Sequence, residues 1–290
     1  MFPINRRRFL LTGAALSAAP FVGRINPAFA ASLTAGLAAC QTTEAASDYV
    51  TEGKLTIGTG EPAYYPYVID DAPESGEGFE AAIAYAVAAE LGFDAADVVW
   101  VRTTFEEAIA PGPKSFDFNL QQYTITEERA ESVDFSSPYY ATPQAVITVD
   151  STAVAGATTV AELADALVGA ASGSTSLAAA ESAIAPTAGV QVFNSNDDAV
   201  LALQTGQIDA LVVDLPTAFY LVGVVLEGGE LLGQLPADEG VSDEWGLVLP
   251  KDSALTAEVT AAVDALREAG TLDDIAATWL GAGAGAPVLQ

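Results

Sequence analysis

The stretch Thr124-Ile-Thr-Glu-Glu-Arg-Ala-Glu-Ser-Val-Asp-Phe-Ser-Ser-Pro-Tyr-Tyr140 follows an apolar run, Phe116 to Tyr123, that reads as a buried strand. It opens a short helix. Thr124 and Thr126 are cap-type residues, and Glu127 and Glu128 suit a first turn, where the helix dipole is positive. Arg129 then lies beside free backbone N–H groups. With three lysines and seven arginines in 290 residues, a cation here is a scarce group. A planar guanidinium among hydroxyl and N–H donors can grip a carboxylate with two parallel bonds. The local pattern leaves a second reading open, an ion pair with Glu127, Glu131 or Asp134 on a solvated turn.

Composition narrows the chemistry. The net charge is −29, and four of the ten cations (Arg6, Arg7, Arg8 and Arg24) precede Cys40, whereas no acid does. A chain processed at Cys40 keeps six cations against 39 acids. Nucleic acid and anionic membrane surfaces are therefore poor partners. With no histidine and one cysteine, intrachain disulfides, His-based metal sites and Ser-His-Asp or Cys-His catalysis are excluded.

Residues 1–39 read as an export signal. Arg6-Arg-Arg-Phe-Leu10 before an apolar run resembles a twin-arginine signal, and the run is too short to span a bilayer. Two cleavage sites compete: Ala28-Phe-Ala30 fits ordinary signal peptidase, and Leu37-Ala-Ala-Cys40 resembles a lipobox with Cys40 lipidated. The polar residues after Cys40 favour the lipobox and a tether over 40–53.

The rest alternates strand and helix. Lys54-Leu-Thr-Ile-Gly58 is a strand, and Phe79, Ile83, Val87 and Leu91 recur every four residues before the stop at Gly92. Gln144 to Val149 reads as a strand leaving a first lobe, after which the pattern restarts. Thr159-Val-Ala-Glu162 is a capping box. Gly173-Ser-Thr-Ser176 opens a helix whose hydroxyls and N–H groups suit an anion. Asp214 ends the strand Ile208 to Val213 at the carboxyl edge where α/β sheets bind ligands. It can meet an ammonium there or cap the helix at Pro216. Trp245 to Leu249 returns to the first lobe. The expected boundaries are 54–147 with 244–281 for one lobe, 148–243 for the other, and a flexible tail over 282–290.

Thr-Ile-Thr-x-x-Arg-Ala-x-x-Val-Asp-Phe-Ser-x-Pro-Tyr-Tyr resembles the signature of extracytoplasmic solute-binding proteins of the polar amino acid type (family 3), which feed ATP-binding cassette importers. Leu55 to Tyr67, Gly78-Phe-Glu80, Gln207 to Pro216 and Trp245 to Lys251 fall in the same order and spacing, so the resemblance covers residues 54 to 281. It implies an α/β, two-lobed periplasmic-binding-protein-like fold (type II) with two crossover strands as hinge. It implies a monomer that needs no cofactor or metal, binds an amino acid between its lobes, and delivers it to a membrane permease. The membrane is then met through the lipid anchor alone.

By the same resemblance Arg129, Thr124, Ser174 and Thr175 hold the ligand carboxylate, and Asp214 the ammonium. Tyr64 and Phe105 are aromatic walls, and Glu61 is an acid at the side-chain end. Gln121 and Gln122 replace small residues common in the family, which keeps the carboxylate grip and leaves side-chain specificity open. An exported dehydratase of this fold acting on a cyclic carboxylic acid is the alternative.

Overall fold

The computed structural model describes residues 48–236, 243–281 and 285–290. The expected export signal and Cys40 lie outside the described residues.

Two five-stranded sheets carry the architecture. The first has the order β2-β1-β3-β10-β4, from β1 (Leu55–Gly60), β2 (Val98–Thr103), β3 (Phe118–Asn119), β4 (Val133–Thr142) and β10 (Asp243–Pro250). β1 is parallel to β2 and β3, and β10 runs antiparallel to β3 and β4. The second has the order β7-β6-β8-β5-β9, from β5 (Gln144–Val149), β6 (Val168–Ala171), β7 (Gln191–Phe193), β8 (Ala210–Asp214) and β9 (Gly229–Gln234). Each sheet has its own core, as a layered α/β unit requires.

In the first lobe, helices α1 (Phe79–Glu90), α7 (Thr256–Glu268) and α8 (Thr271–Trp279) bury Phe79, Ile83, Val87, Val259, Val263 and Leu272 against Leu55, Ile57, Trp245 and Leu247. The four-residue spacing of Phe79, Ile83 and Val87 is thus an inward stripe. In the second lobe, α4 (Thr175–Ala179), α5 (Asn196–Gln204) and α6 (Leu215–Tyr220) flank the sheet, and Leu203, Ile208, Leu211 and Val213 are buried. The short helices α2 (Phe105–Ile109) and α3 (Glu127–Ala130) stand between strands of the first lobe.

Three features differ from the sequence reading. The run Phe116 to Tyr123 joins the ladder only at Phe118–Asn119. Asp117 turns its carboxylate onto the backbone N–H groups of Val50 (2.8 Å) and Thr56 (2.6 Å), and Gln122 has a φ of +53°, which bends the chain away. The lobe boundary falls at Pro143, not at 147/148. β5 pairs along its length with β8 and β9, and proline, lacking an N–H, breaks the ladder ahead of it. The second crossing, 237–242, lies outside the described residues, and its far end meets the first where Asp243 pairs with Thr142.

The third correction concerns the tail. Residues 285–290, expected to be flexible, lie on the second lobe, where Leu289 is 2% exposed among Val146, Leu163, Leu232 and Leu235. One buried leucine with backbone bonds on either side is enough to seat so short a segment.

Candidate functional site

The carboxyl edges of the two sheets face a cavity of about 230 Å³. The loop after β1 forms one wall and is held from behind by Arg102. Its Nη1 donates to Gly60 O (2.7 Å) and Asp71 Oδ1 (2.6 Å), and Asp71 accepts from Ala63 N (2.8 Å). Glu61 and Tyr64 line the cavity from this loop, Glu61 exposed and Tyr64 half-buried.

Arg129 comes from α3, whose first turn is capped by Thr126 accepting from Arg129 N at 3.2 Å. The guanidinium lines the cavity, and the local ion pair that the sequence left open is not formed. Asp134 pairs with Lys251 (3.2 Å), and no carboxylate among the described residues lies within 4 Å of Arg129. Its Nη1 donates to Thr124 O (2.7 Å) and its Nη2 to Gly173 O in the opposite lobe (2.8 Å), over the ring of Phe105 at 5.4 Å. Phe105 in turn stacks on Tyr123 at 4.6 Å. Burial pushes the guanidinium pKa down, with Asp243 and Asp214 acting the other way. A cation taken from water and tied only to neutral carbonyls is one partner short.

Asp214 stands at the end of β8, lining the same cavity. Of its two sequence-level roles, capping is not the one its side chain plays, since it makes no cap bond to α6. Its Oδ1 accepts from Gln144 Nε2 at 2.8 Å. Burial, then the charge of Asp243, push its pKa up to about 7, with Gln144 and Arg129 opposing.

Ser174 and Thr175 stand at the start of α4, and both line the cavity with their hydroxyls already engaged. Ser174 Oγ donates to Ala171 O (2.7 Å) and accepts from Leu177 N (3.1 Å). Thr175 Oγ1 lies 3.2 Å from Thr124 Oγ1 and 3.1 Å from Asp243 Oδ2. Because a carboxylate only accepts, Thr175 donates to Asp243, and Thr124 donates to Thr175. Thr124 itself is buried behind the cavity wall, so its hydroxyl serves Thr175.

The Gln122 amide is turned to Glu80. Its backbone N donates to Glu80 Oε1 (2.7 Å) and its Nε2 to Glu80 Oε2 (2.5 Å), while Tyr139 Oη also donates to Oε1. Burial pushes the Glu80 pKa up to about 7 against those three bonds. Gln121 faces the cavity with Nε2 on Thr103 Oγ1 at 3.0 Å.

Sequence reasoning missed three site residues. Glu80 was part of a quoted motif without a role. Gln144 and Asp243 open strands at the two crossings, and Gln144 joins Asp214, Asp243 and Ser176 through one amide, its Oε1 accepting from Ser176 Oγ at 2.7 Å. A polar residue at a strand start reads as a boundary, so only its position next to Pro143 hinted at a hinge.

The lobes are closed on each other. Tyr64 Oη donates to Asp197 Oδ2 (2.9 Å), Tyr67 Oη meets Thr217 Oγ1 (2.8 Å), and Ser172 Oγ donates to Glu106 Oε1 (2.9 Å). Burial, then Asp197, push the Tyr64 phenol pKa upward, so it remains a donor.

Residues 55–282 match the family described as bacterial extracellular solute-binding proteins, family 3. The L-arginine-binding protein of Pseudomonas aeruginosa is 31% identical over 238 residues, covering 78% of this chain and 88% of that protein. The ABC transporter glutamine-binding protein GlnH of Bacillus subtilis is 29% identical over 213 residues, covering 72% and 75%. Among solved structures, an ancestral arginine-binding protein bound to glutamine superposes with a TM-score of 0.66 at 29% identity, over 80% of this chain and all of that one. The two-lobed fold and the match over residues 55–282 agree: this chain belongs to the bacterial extracellular solute-binding proteins, family 3.

Proposed function

We propose that the chain binds an α-amino acid with a neutral or cationic side chain in this cleft and delivers it to the membrane permease of an ATP-binding cassette importer. The observation that carries this is a pair of groups in one closed cavity that find no ion-pair partner among the described residues, the buried Arg129 and Asp214. Arg129 takes the α-carboxylate, and Asp214 takes the α-ammonium. Phe105 and Tyr64 flank the side chain. Thr175, Ser174 and Gln122 shape the walls, with Thr124 and Asp243 orienting Thr175. The protein acts as a monomer, without cofactor, as a carrier and not an enzyme.

Side-chain charge follows from what else lines the cavity. Arg129 is the one cation among the described lining residues, whereas Glu61 and Glu80 are both acids. A ligand carboxylate at the side-chain end would meet like charge with no counter-ion. In native mass spectrometry, L-arginine or L-glutamine is expected to add in 1:1 ratio and to be recovered unchanged, with L-glutamate failing to bind. Uptake and conversion of a cyclic carboxylic acid would replace this reading with the dehydratase.

Export by the Arg6-Arg-Arg-Phe-Leu10 signal and lipidation at Cys40 complete the reading, placing the carrier at the outer face of the cytoplasmic membrane. The intact mass of the exported protein should show a lipid on an N-terminal Cys40. A soluble chain beginning at Ala31 would point to cleavage after Ala30 instead.

A further inference from the structure

With Arg129 and Asp214 assigned to the α-groups of the ligand, Glu80 is left without a task. It is the second residue of α1, 2% exposed, and it lines the same cavity. Its two oxygens are held differently. Oε1 accepts from Gln122 N (2.7 Å) and from Tyr139 Oη, whereas Oε2 accepts from Gln122 Nε2 (2.5 Å). Gln122 also lines the cavity, with φ at +53°, a left-handed conformation that is costly for a residue with a Cβ. In that conformation its main-chain and side-chain donors both reach one carboxylate. Taking away the Gln122 side chain would leave Oε1 held by a backbone N–H and a phenol, and Oε2 open to a new donor.

We propose that Gln122 is a specificity-determining residue: by occupying Glu80 it withholds a buried charge from the ligand and turns the cleft toward neutral side chains. The proposal rests on the α-amino acid reading above. A carboxylate that already accepts three hydrogen bonds has less to offer a ligand cation than a bare one, and the cation must first leave water. Glu61, the other acid that the first lobe places on this cavity, is exposed, where water and salt screen it. Asp214 is committed to the α-ammonium. A neutral side chain needs no counter-charge and loses nothing to the masking.

Calorimetry at pH 8 with L-glutamine and L-arginine is the test. That pH lies above the value of about 7 to which burial pushes Glu80, so its carboxyl is mostly charged. Gln122→Gly frees Oε2, and glycine suits the positive φ. The ratio of L-arginine to L-glutamine affinity is expected to rise by about tenfold or more, the scale of one hydrogen bond to a charged group. The double variant Gln122→Gly/Glu80→Gln has the added space without the charge, and its ratio should fall back to the wild-type value or below. Thermal melting verifies that both variants are folded. An unchanged ratio in Gln122→Gly overturns the proposal. A gain that persists in the double variant also overturns it, because added space alone then explains the change. Wild-type protein that binds neither amino acid overturns the α-amino acid reading itself, and the proposal with it.

Discussion

Arg129→Ala is expected to weaken amino acid binding by about 30-fold to several-thousand-fold. Closure leaves the ligand carboxylate in a site where two nearby hydroxyls are already committed, Ser174 to Ala171 O and Thr175 to Asp243. Truncating one partner of such a desolvated pair strands the other, typically about 2–5 kcal/mol, at about 1.4 kcal/mol per decade of affinity. The substitution also deletes the bond to Gly173 O, through which Arg129 reaches the second lobe. Arg129→Lys should recover little of the loss. An ammonium keeps the charge, but it cannot hold two carbonyls on opposite lobes and still offer a planar fork to a carboxylate. Isothermal calorimetry decides this, with Arg267→Ala as control, since Arg267 pairs with Asp264 on the surface. An Arg129→Ala protein binding as well as the control would remove the carboxylate grip from the reading.

The fold was legible in the sequence where local periodicity and burial coincide. The stripe Phe79, Ile83, Val87 and the capping box at Thr159 each report a local interaction, and both are present. Arg129 and Asp214 were legible for a different reason: each is a charged residue at the edge of a buried element, a position that burial alone does not explain. Gln144 and Asp243 were not legible. They meet across 99 residues of chain, and that meeting exists only once both crossings are side by side. The hydroxyls of Thr124 and Thr175 read as free donors because their engagement with each other spans both lobes. Residues 285–290 escaped notice because a single buried leucine has no period.

Asp214→Asn is expected to abolish binding while making the ligand-free protein more stable above pH 7. The two effects share one cause. The native carboxyl titrates near 7, raised by burial and then by Asp243, whereas in an unfolded chain it titrates near 3.9. Between those values the native state holds a proton that the unfolded state has lost. Through this group, stability therefore falls as pH rises from about 4 to about 7, at up to about 1.4 kcal/mol per pH unit, and then levels off. Asparagine removes that loss and keeps an oxygen to accept from Gln144. Glu80 is raised in the same way but is present in both proteins, so the difference between their melting curves isolates Asp214. That difference should be largest at pH 8 and vanish toward pH 4. Binding runs in the opposite sense. An ammonium needs the ionised carboxylate, so wild-type affinity should fall by up to about tenfold per unit below pH 7, as a proton must leave for each ligand bound. A wild-type protein that melts above Asp214→Asn at pH 8 without ligand would mean that the carboxylate is already paired. Asp214 would then be part of the hinge network with Gln144 and Asp243, and the ammonium would need another partner.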